Sequence, residues 1–296
     1  MNRSPVPVYS FDDTRWDGCD DNATFGVESL LEAGAVLYFR CLPFELTEPE
    51  RALLDARFSD PKAKNISLRG QEAVLRGACG TTDEQAALRA MTVRYREQAL
   101  QLVARLFPRY AGQLTVANTS YRPVAVKGRA TSWRSDDTRL HVDAFPSNPT
   151  QGWRLLRVFT NVNPHGLTRT WRVGEPFEDF AKRHLAHIRP PLPGSAWLLE
   201  RLHITKRRRT RYDHLMLQLH DRAKADLAWQ RNGPQQVIDF APGSTWLVFS
   251  DQVLHAAMGG QYVMEQTLQL PPEHQLDPGT SPLGILERLT GTSLRD

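Results

Sequence analysis

The chain has 296 residues, enough for one large domain or two ordinary ones, and its 41% hydrophobic and 24% charged composition is that of a globular protein. No apolar run approaches the roughly 20 residues needed to cross a bilayer. Met1–Pro5 lacks an apolar signal core, and the three scattered cysteines (Cys19, Cys41, Cys79) give no disulfide framework or thiolate metal site, so a cytoplasmic location is expected.

Net charge is +4, but it is unevenly spread: Lys182 to Arg211 holds nine Lys/Arg against the single acid Glu200, a local +8. Such a block reads either as a solvated face or as a surface for phosphates, those of nucleic acid or of an anionic membrane.

Along the chain, residues 1–30 are polar and show little periodicity. Gly34–Phe39 is β-branched and aromatic and predicts a strand. Thr47-Glu48-Pro49-Glu50 opens a short helix. A longer helix begins at the capping box Thr81-x-x-Glu84, with Leu88, Met91, Tyr95, Ala99, Leu102 and Leu106 recurring at helical spacing. From about Leu114 strands and turns take over: Tyr121–Val124, Ser132–Arg134, then Arg139–Pro146 with its His141-x-Asp143. Trp153–Pro164 predicts a long strand, and His165-Gly166 turns it into Thr170–Val173. Helix-like segments such as Glu178–Arg183 fill residues 175–235, broken by Pro190–Gly194. Strands return at Val237–Phe240, Trp246–Phe249 and Met264–Leu270, and a short helix is expected near Ser281–Leu289.

This order predicts a single α+β domain over residues 1–296, built on a double-stranded β-helix (a jelly-roll or cupin-like barrel) with flanking helices. Its parts would be a helical N-terminal region to about 113, a barrel over 114–272 with the basic helical insertion 175–235, and a tail from 273.

On a strand, His141 and Asp143 project to one side and can close on one metal ion. The candidate third ligand is His255, reached through the strand Ser244–Phe249. Two imidazoles and a carboxylate on one face of an octahedral ion leave three open positions, the facial triad of non-haem Fe(II) oxygenases. Such an iron needs electrons to activate O₂, and a common source is 2-oxoglutarate, decarboxylated to succinate. Its far carboxylate needs a cation in a dry pocket, and a bidentate Arg suits it best. In many such enzymes that Arg follows the distal His by about ten residues, yet here Gln261 and Gln266 fall in that window. The substitutes are Arg157 or Arg154, only one of which alternation lets point inward, and Arg172 on the next strand. Arg139, on the His141 and Asp143 face if the strand runs back that far, is placed to meet an acidic substrate, as is Arg122.

The strings Arg139–Ser147, Leu156–Pro164, Trp171–Phe177 and Glu265-Gln266-Thr267 resemble those of the 3-deoxy-D-manno-oct-2-ulosonic acid (Kdo) hydroxylase family. Asn161-Val162-Asn163-Pro164 and Trp171-Arg172-Val173-Gly174-Glu175-Pro176-Phe177 carry most of the specificity. The resemblance implies an Fe(II)/2-oxoglutarate/O₂-dependent dioxygenase of a Gram-negative bacterium, hydroxylating C3 of a Kdo to give Ko on a lipid A precursor. It implies His141, Asp143 and His255 as the iron ligands. A Kdo carboxylate and lipid A phosphates agree with the basic block. Lys206, Arg207, Arg208 and Arg209 would meet an anionic membrane, with Trp197, Leu198, Leu199 and Ile204 dipping into the interface of the inner membrane.

Two other functions share these features. One is a 2-oxoglutarate-dependent hydroxylase of nucleic acid or protein; against nucleic acid, no aromatic ladder interleaves the basic residues. The other is an inactive sugar-binding barrel, which would have no use for open iron positions. Oligomeric state is not legible in the chain.

Overall fold

In the computed structural model, residues 4–17, 26–70, 73–126 and 132–295 are described, and their strands form two facing sheets. The larger has eight strands in the order β1 (Val8–Phe11), β2 (Val36–Phe39), β9 (Thr245–Phe249), β6 (Arg154–Asn161), β11 (Val263–Leu270), β5 (Thr115–Arg122), β3 (Ile66–Arg69), β4 (Val74–Arg76). The smaller has three: β10 (His255–Ala257), β7 (Arg169–Gly174) and β8 (Gln235–Phe240). All pairings are antiparallel except β1 with β2 at the edge.

Alternation along the strands decides what each layer buries. On β6, Leu156 and Val158 turn outward to helix α3 (Thr82–Leu106), which brings its stripe of Leu88, Met91, Tyr95, Ala99 and Leu102 against them. The Thr81 and Glu84 capping box starts α3 as the sequence predicts. On the opposite face, Phe159 joins Trp246 from β9 and Trp171 and Phe240 from the small sheet. Phe240 and Trp246 stack at 4.0 Å, and Trp171 meets them edge-on, so aromatic rings fill one end of the space between the sheets. The other end stays open and polar, and the site lies there.

The insertion contributes α4 (Phe177–His184), α5 (Ser195–Arg201), α6 (Arg211–Ala225) and α7 (Leu227–Asn232), and α8 (Pro282–Thr290) closes the chain. Phe180, Tyr212, Met216 and Trp229 form a second core with Leu140, Val142 and Leu254. The insertion therefore clamps the His-x-Asp segment as well as carrying charge.

Two expectations need correction. The N-terminal region, expected to be helical, carries α3 but also supplies β1 and β2 to one side of the large sheet and β3 and β4 to the other. Short helices α1 (Val27–Glu32) and α2 (Glu48–Arg51) lie among them. Ser132–Arg134 lies in a turn, and the strand expected around His141 is reduced to a single bridge, His141 to His255. Cys41 and Cys79 are free, while Cys19 lies outside the described residues. No helix among the described residues is long and apolar enough to cross a membrane.

Candidate metal centre and cosubstrate pocket

His141, Asp143 and His255 converge, each offering a ligand atom within 4.8 Å of the others. Among the described residues they form the one such cluster of His, Cys, Asp or Glu. Local pairing explains the convergence. His141 and His255 exchange both backbone hydrogen bonds, at 3.0 and 2.9 Å, and the Asp143 amide donates to the Ser250 carbonyl at 2.8 Å. Leu140 and Val142 turn into the insertion core, so His141 and Asp143 must face the cavity. Where a neighbouring strand would have paired Leu140, the Gln230 amide does so instead: its Oε1 accepts from the Leu140 amide and its Nε2 donates to the Leu140 carbonyl, both at 2.9 Å.

Both imidazoles are set for metal. His141 Nδ1 lies 2.7 Å from the Arg139 carbonyl, and His255 Nδ1 lies 2.8 Å from the Val253 carbonyl. A carbonyl only accepts, so each Nδ1 carries the proton and each Nε2 presents a lone pair. Burial lowers the pKa of both rings, and for His141 the neighbouring His255 and Lys224 lower it further, so both stay neutral. Burial would raise the Asp143 carboxyl, but the Arg157 guanidinium, His255 and His141 outweigh it and hold Asp143 well below the usual carboxylate range. Two neutral imidazoles and an anionic carboxylate fit a divalent ion without proton release. Trp171 stacks on His255 at 5.1 Å and fixes its ring, and His220 on α6 meets His141 edge-on at 5.4 Å.

The triad opens into a cavity of about 630 Å³. Arg157 enters it, its side chain 11% exposed, with Nη2 3.0 Å from Asp143 and Nη1 2.9 Å from Glu265. Arg122 pairs with the other oxygen of Glu265. Arg169, at the start of β7, also lines the cavity and donates to the Gly260 carbonyl at 3.1 Å. A Cβ on Gly260 (φ +99°) would sit 2.9 Å from Arg169 Cα, so glycine there permits this approach. Trp171 adds a buried Nε1 donor with no partner among the described residues.

The remaining arginines expected at the site lie elsewhere. Arg154 takes the outer face of β6, fully buried, bonded to Asp251 at 2.8 Å and Gln252 at 2.6 Å and stacked over Phe249. Arg172 points away from the cavity to the Gln230 and Thr138 carbonyls, at 2.9 and 2.8 Å. Arg139 turns to Asp136 and the Lys224 carbonyl, because its stretch is a turn and not strand. Gln266, in the expected anchor window, is buried and accepts from Thr119 at 2.7 Å. Lys206 lines the cavity, Arg207 and Arg208 are exposed, and Arg209 donates to the Pro146 carbonyl near the mouth. Arg169 and Trp171 are the residues that sequence reasoning missed.

A family model described as 3-deoxy-D-manno-oct-2-ulosonic acid (Kdo) hydroxylase matches residues 16–293. The chain belongs to the Kdo hydroxylase family. Solved structures of the Kdo hydroxylase KdoO, a non-heme Fe(II) α-ketoglutarate-dependent dioxygenase, agree. Its complex with α-ketoglutarate and Fe(III) is 44% identical, with TM-score 0.93 over 97% of each chain. The cobalt(II) complex is 45% identical, with TM-score 0.95 over 98% of each chain. The apo form is 45% identical, with TM-score 0.94 over 97% of each. No curated protein matches the chain. In a Kdo hydroxylase, the imidazole and carboxylate geometry has an evident use, and the fold is the jelly roll expected from the chain.

Proposed function

We propose that this Kdo hydroxylase oxidises C3 of a Kdo residue on a lipid A precursor, converting it to Ko with Fe(II), 2-oxoglutarate and O₂. The observation that carries the reading is the pair of Nδ1–carbonyl bonds that turn both Nε2 atoms toward Asp143. His141, Asp143 and His255 would hold the iron. Bound ferrous iron would supply O₂ activation, with 2-oxoglutarate giving up two electrons and leaving as succinate and CO₂ while one oxygen atom enters the sugar C–H bond.

The chain's own residues bind and orient. Arg157, Arg122 and Arg169 are the guanidiniums beside the triad, and Asp143 and Glu265 are the carboxylates they meet. A guanidinium bonds a carboxylate through paired N–H donors, so the far carboxylate of 2-oxoglutarate would be held here, with Arg157 as the principal anchor and the Trp171 Nε1 as a further donor. The aromatic end of the barrel, Phe159, Trp171 and Trp246, keeps water from entering behind the reacting groups. Supplying the protein with Fe(II), 2-oxoglutarate and a Kdo-bearing lipid A precursor is expected to yield succinate and a Kdo gaining one oxygen in equal amounts. Succinate without sugar oxidation would refute the substrate, and no succinate would refute the chemistry.

The same cavity supports docking on the cytoplasmic leaflet of the inner membrane. Leu192, Trp197, Leu198, Leu202 and Ile204 are all exposed, at 78, 59, 49, 58 and 53%, beside the basic run. Leu199, also expected there, is half-buried. Lys206 joins this surface to the cavity, so a lipid-anchored sugar would arrive beside the iron. Each basic residue near an anionic surface is worth about 1 kcal/mol. Neutralising Arg207, Arg208 and Arg209 is therefore expected to weaken sedimentation with anionic vesicles by roughly two orders of magnitude. Unchanged binding would remove the membrane surface from the proposal.

A further inference from the structure

The cavity runs well beyond the iron ligands. Strands β5, β3 and β4 form one end of the large sheet, and residues of all three line the cavity. Register places Arg76, Ser67, Ser120, Glu265 and Phe159 in one row across β4, β3, β5, β11 and β6. All five line the cavity. At about 4.8 Å per strand, Arg76 stands roughly 19 Å along the sheet from β6, farther than one pyranose ring reaches.

The floor of this shelf is polar and small. Ser67 and Ser120 are joined by Asn118, Thr267 and Gln269, groups that both donate to and accept from sugar hydroxyls. Its far end is cationic. Arg69 and Arg76, on the two strands of the β3–β4 hairpin, and Lys62 in the preceding loop are exposed, and none forms an ion pair within the described residues. Lys64 beside them is paired with Asp137 at 2.8 Å. The loop holds Lys62 against the hairpin through Gly77 (φ +70°), where a Cβ would come within 2.6 Å of the Asn65 carbonyl and 2.8 Å of Ala63 Cβ. The whole cavity is lined by eight Lys or Arg and three carboxylates, and all three carboxylates already face an Arg or Lys.

We infer that the β3–β4 hairpin, through Arg69 and Arg76 with Lys62, is an oxyanion subsite for a second acidic group of the substrate, carried on a sugar next to the one that is hydroxylated. This rests on the proposed function. Guanidiniums hold a carboxylate or a phosphate ester in the same bidentate way, so the neighbouring sugar is either a second sugar acid or a phosphorylated amino sugar. The hairpin thus selects chain length: a single sugar acid at the iron leaves it empty.

Binding to the full-length protein loaded anaerobically with Fe(II) and 2-oxoglutarate tests this, using three soluble saccharides measured calorimetrically. They are a Kdo methyl glycoside, a Kdo disaccharide and a Kdo–glucosamine phosphate. The wild type is expected to bind at least one of the doubly charged saccharides about tenfold or more tighter than the methyl glycoside. Whichever of the two is preferred identifies the anion as carboxylate or phosphate. In the double variant Arg69→Gln/Arg76→Gln, on exposed positions and verified as folded by circular dichroism, the preference is expected to vanish. A wild type that binds all three alike, or a folded double variant that keeps the preference, overturns the subsite while leaving the proposed function standing. A wild type that binds none of them overturns both.

Discussion

Replacing His141 with alanine is expected to abolish succinate formation and to weaken Fe(II) binding by more than the roughly 10–100-fold that loss of an outer-shell partner costs. The reason is geometric. His141 Nε2 is one of the three ligand atoms that lie within 4.8 Å of each other, and Nδ1 cannot take its place because it is bonded to the Arg139 carbonyl at 2.7 Å. The same substitution removes little packing, since the ring borders the cavity and Leu140 and Val142 carry the local core. Near-normal thermal stability with no iron bound is the expected pattern, read by metal analysis beside a melting curve. A variant retaining full turnover would remove His141 from the centre.

The second large effect is on stability. Arg154→Met is expected to destabilise the fold by about 3–5 kcal/mol, because it leaves Asp251 buried without its cation. Asp251 is 2% exposed, takes the Arg154 Nε at 2.8 Å and accepts from the Leu155 amide at 3.1 Å. Arg154 also bonds Gln252, whose amide donates to the Glu32 and Thr280 carbonyls. This knot ties the turn between β9 and β10, and so His255, to β6. A melting temperature lowered by on the order of 10 °C is expected, together with weaker iron binding that the His141 variant shows without the stability loss. An unchanged melting temperature would mean that the pair is not structural.

Arg154 and Arg157 show what the chain made legible and what it did not. Alternation demanded that Arg154 and Arg157 face opposite ways, and they do. Which one enters the barrel follows from the packing of Leu156 and Val158 on α3, a contact with a helix some fifty residues upstream. On β7 a local signal was present. Trp171 and Val173 are the apolar positions and Thr170 and Arg172 the polar ones, so Arg172 belongs outside and Arg169, two residues before Trp171, belongs inside. Arg169 is the first residue of β7, ahead of the apolar positions whose alternation marks the strand.

The convergence of His141, Asp143 and His255 was legible because chemistry limits which residues can bind iron, and because His255 follows a strongly patterned strand. Of the N-terminal strands, β2 was expected from Gly34–Phe39, but β1, β3 and β4 were not. β4 has three residues and β3 four, and β3 pairs with β5 about fifty residues away, so no local periodicity marks them. The strand expected at His141 shrank to one bridge because Gln230, on an insertion helix, supplies the pairing that a neighbouring strand would have given.

Two imidazoles and one carboxylate are expected to form a ferrous centre that also receives 2-oxoglutarate. Anaerobic titration of the protein with Fe(II) and then 2-oxoglutarate tests it most directly, through the weak visible absorption of the iron–cosubstrate chelate. A saturable band at equimolar iron, lost in His141→Ala and Asp143→Ala, is the expected result. A band that survives both substitutions, or no band at all in the wild type, would contradict it.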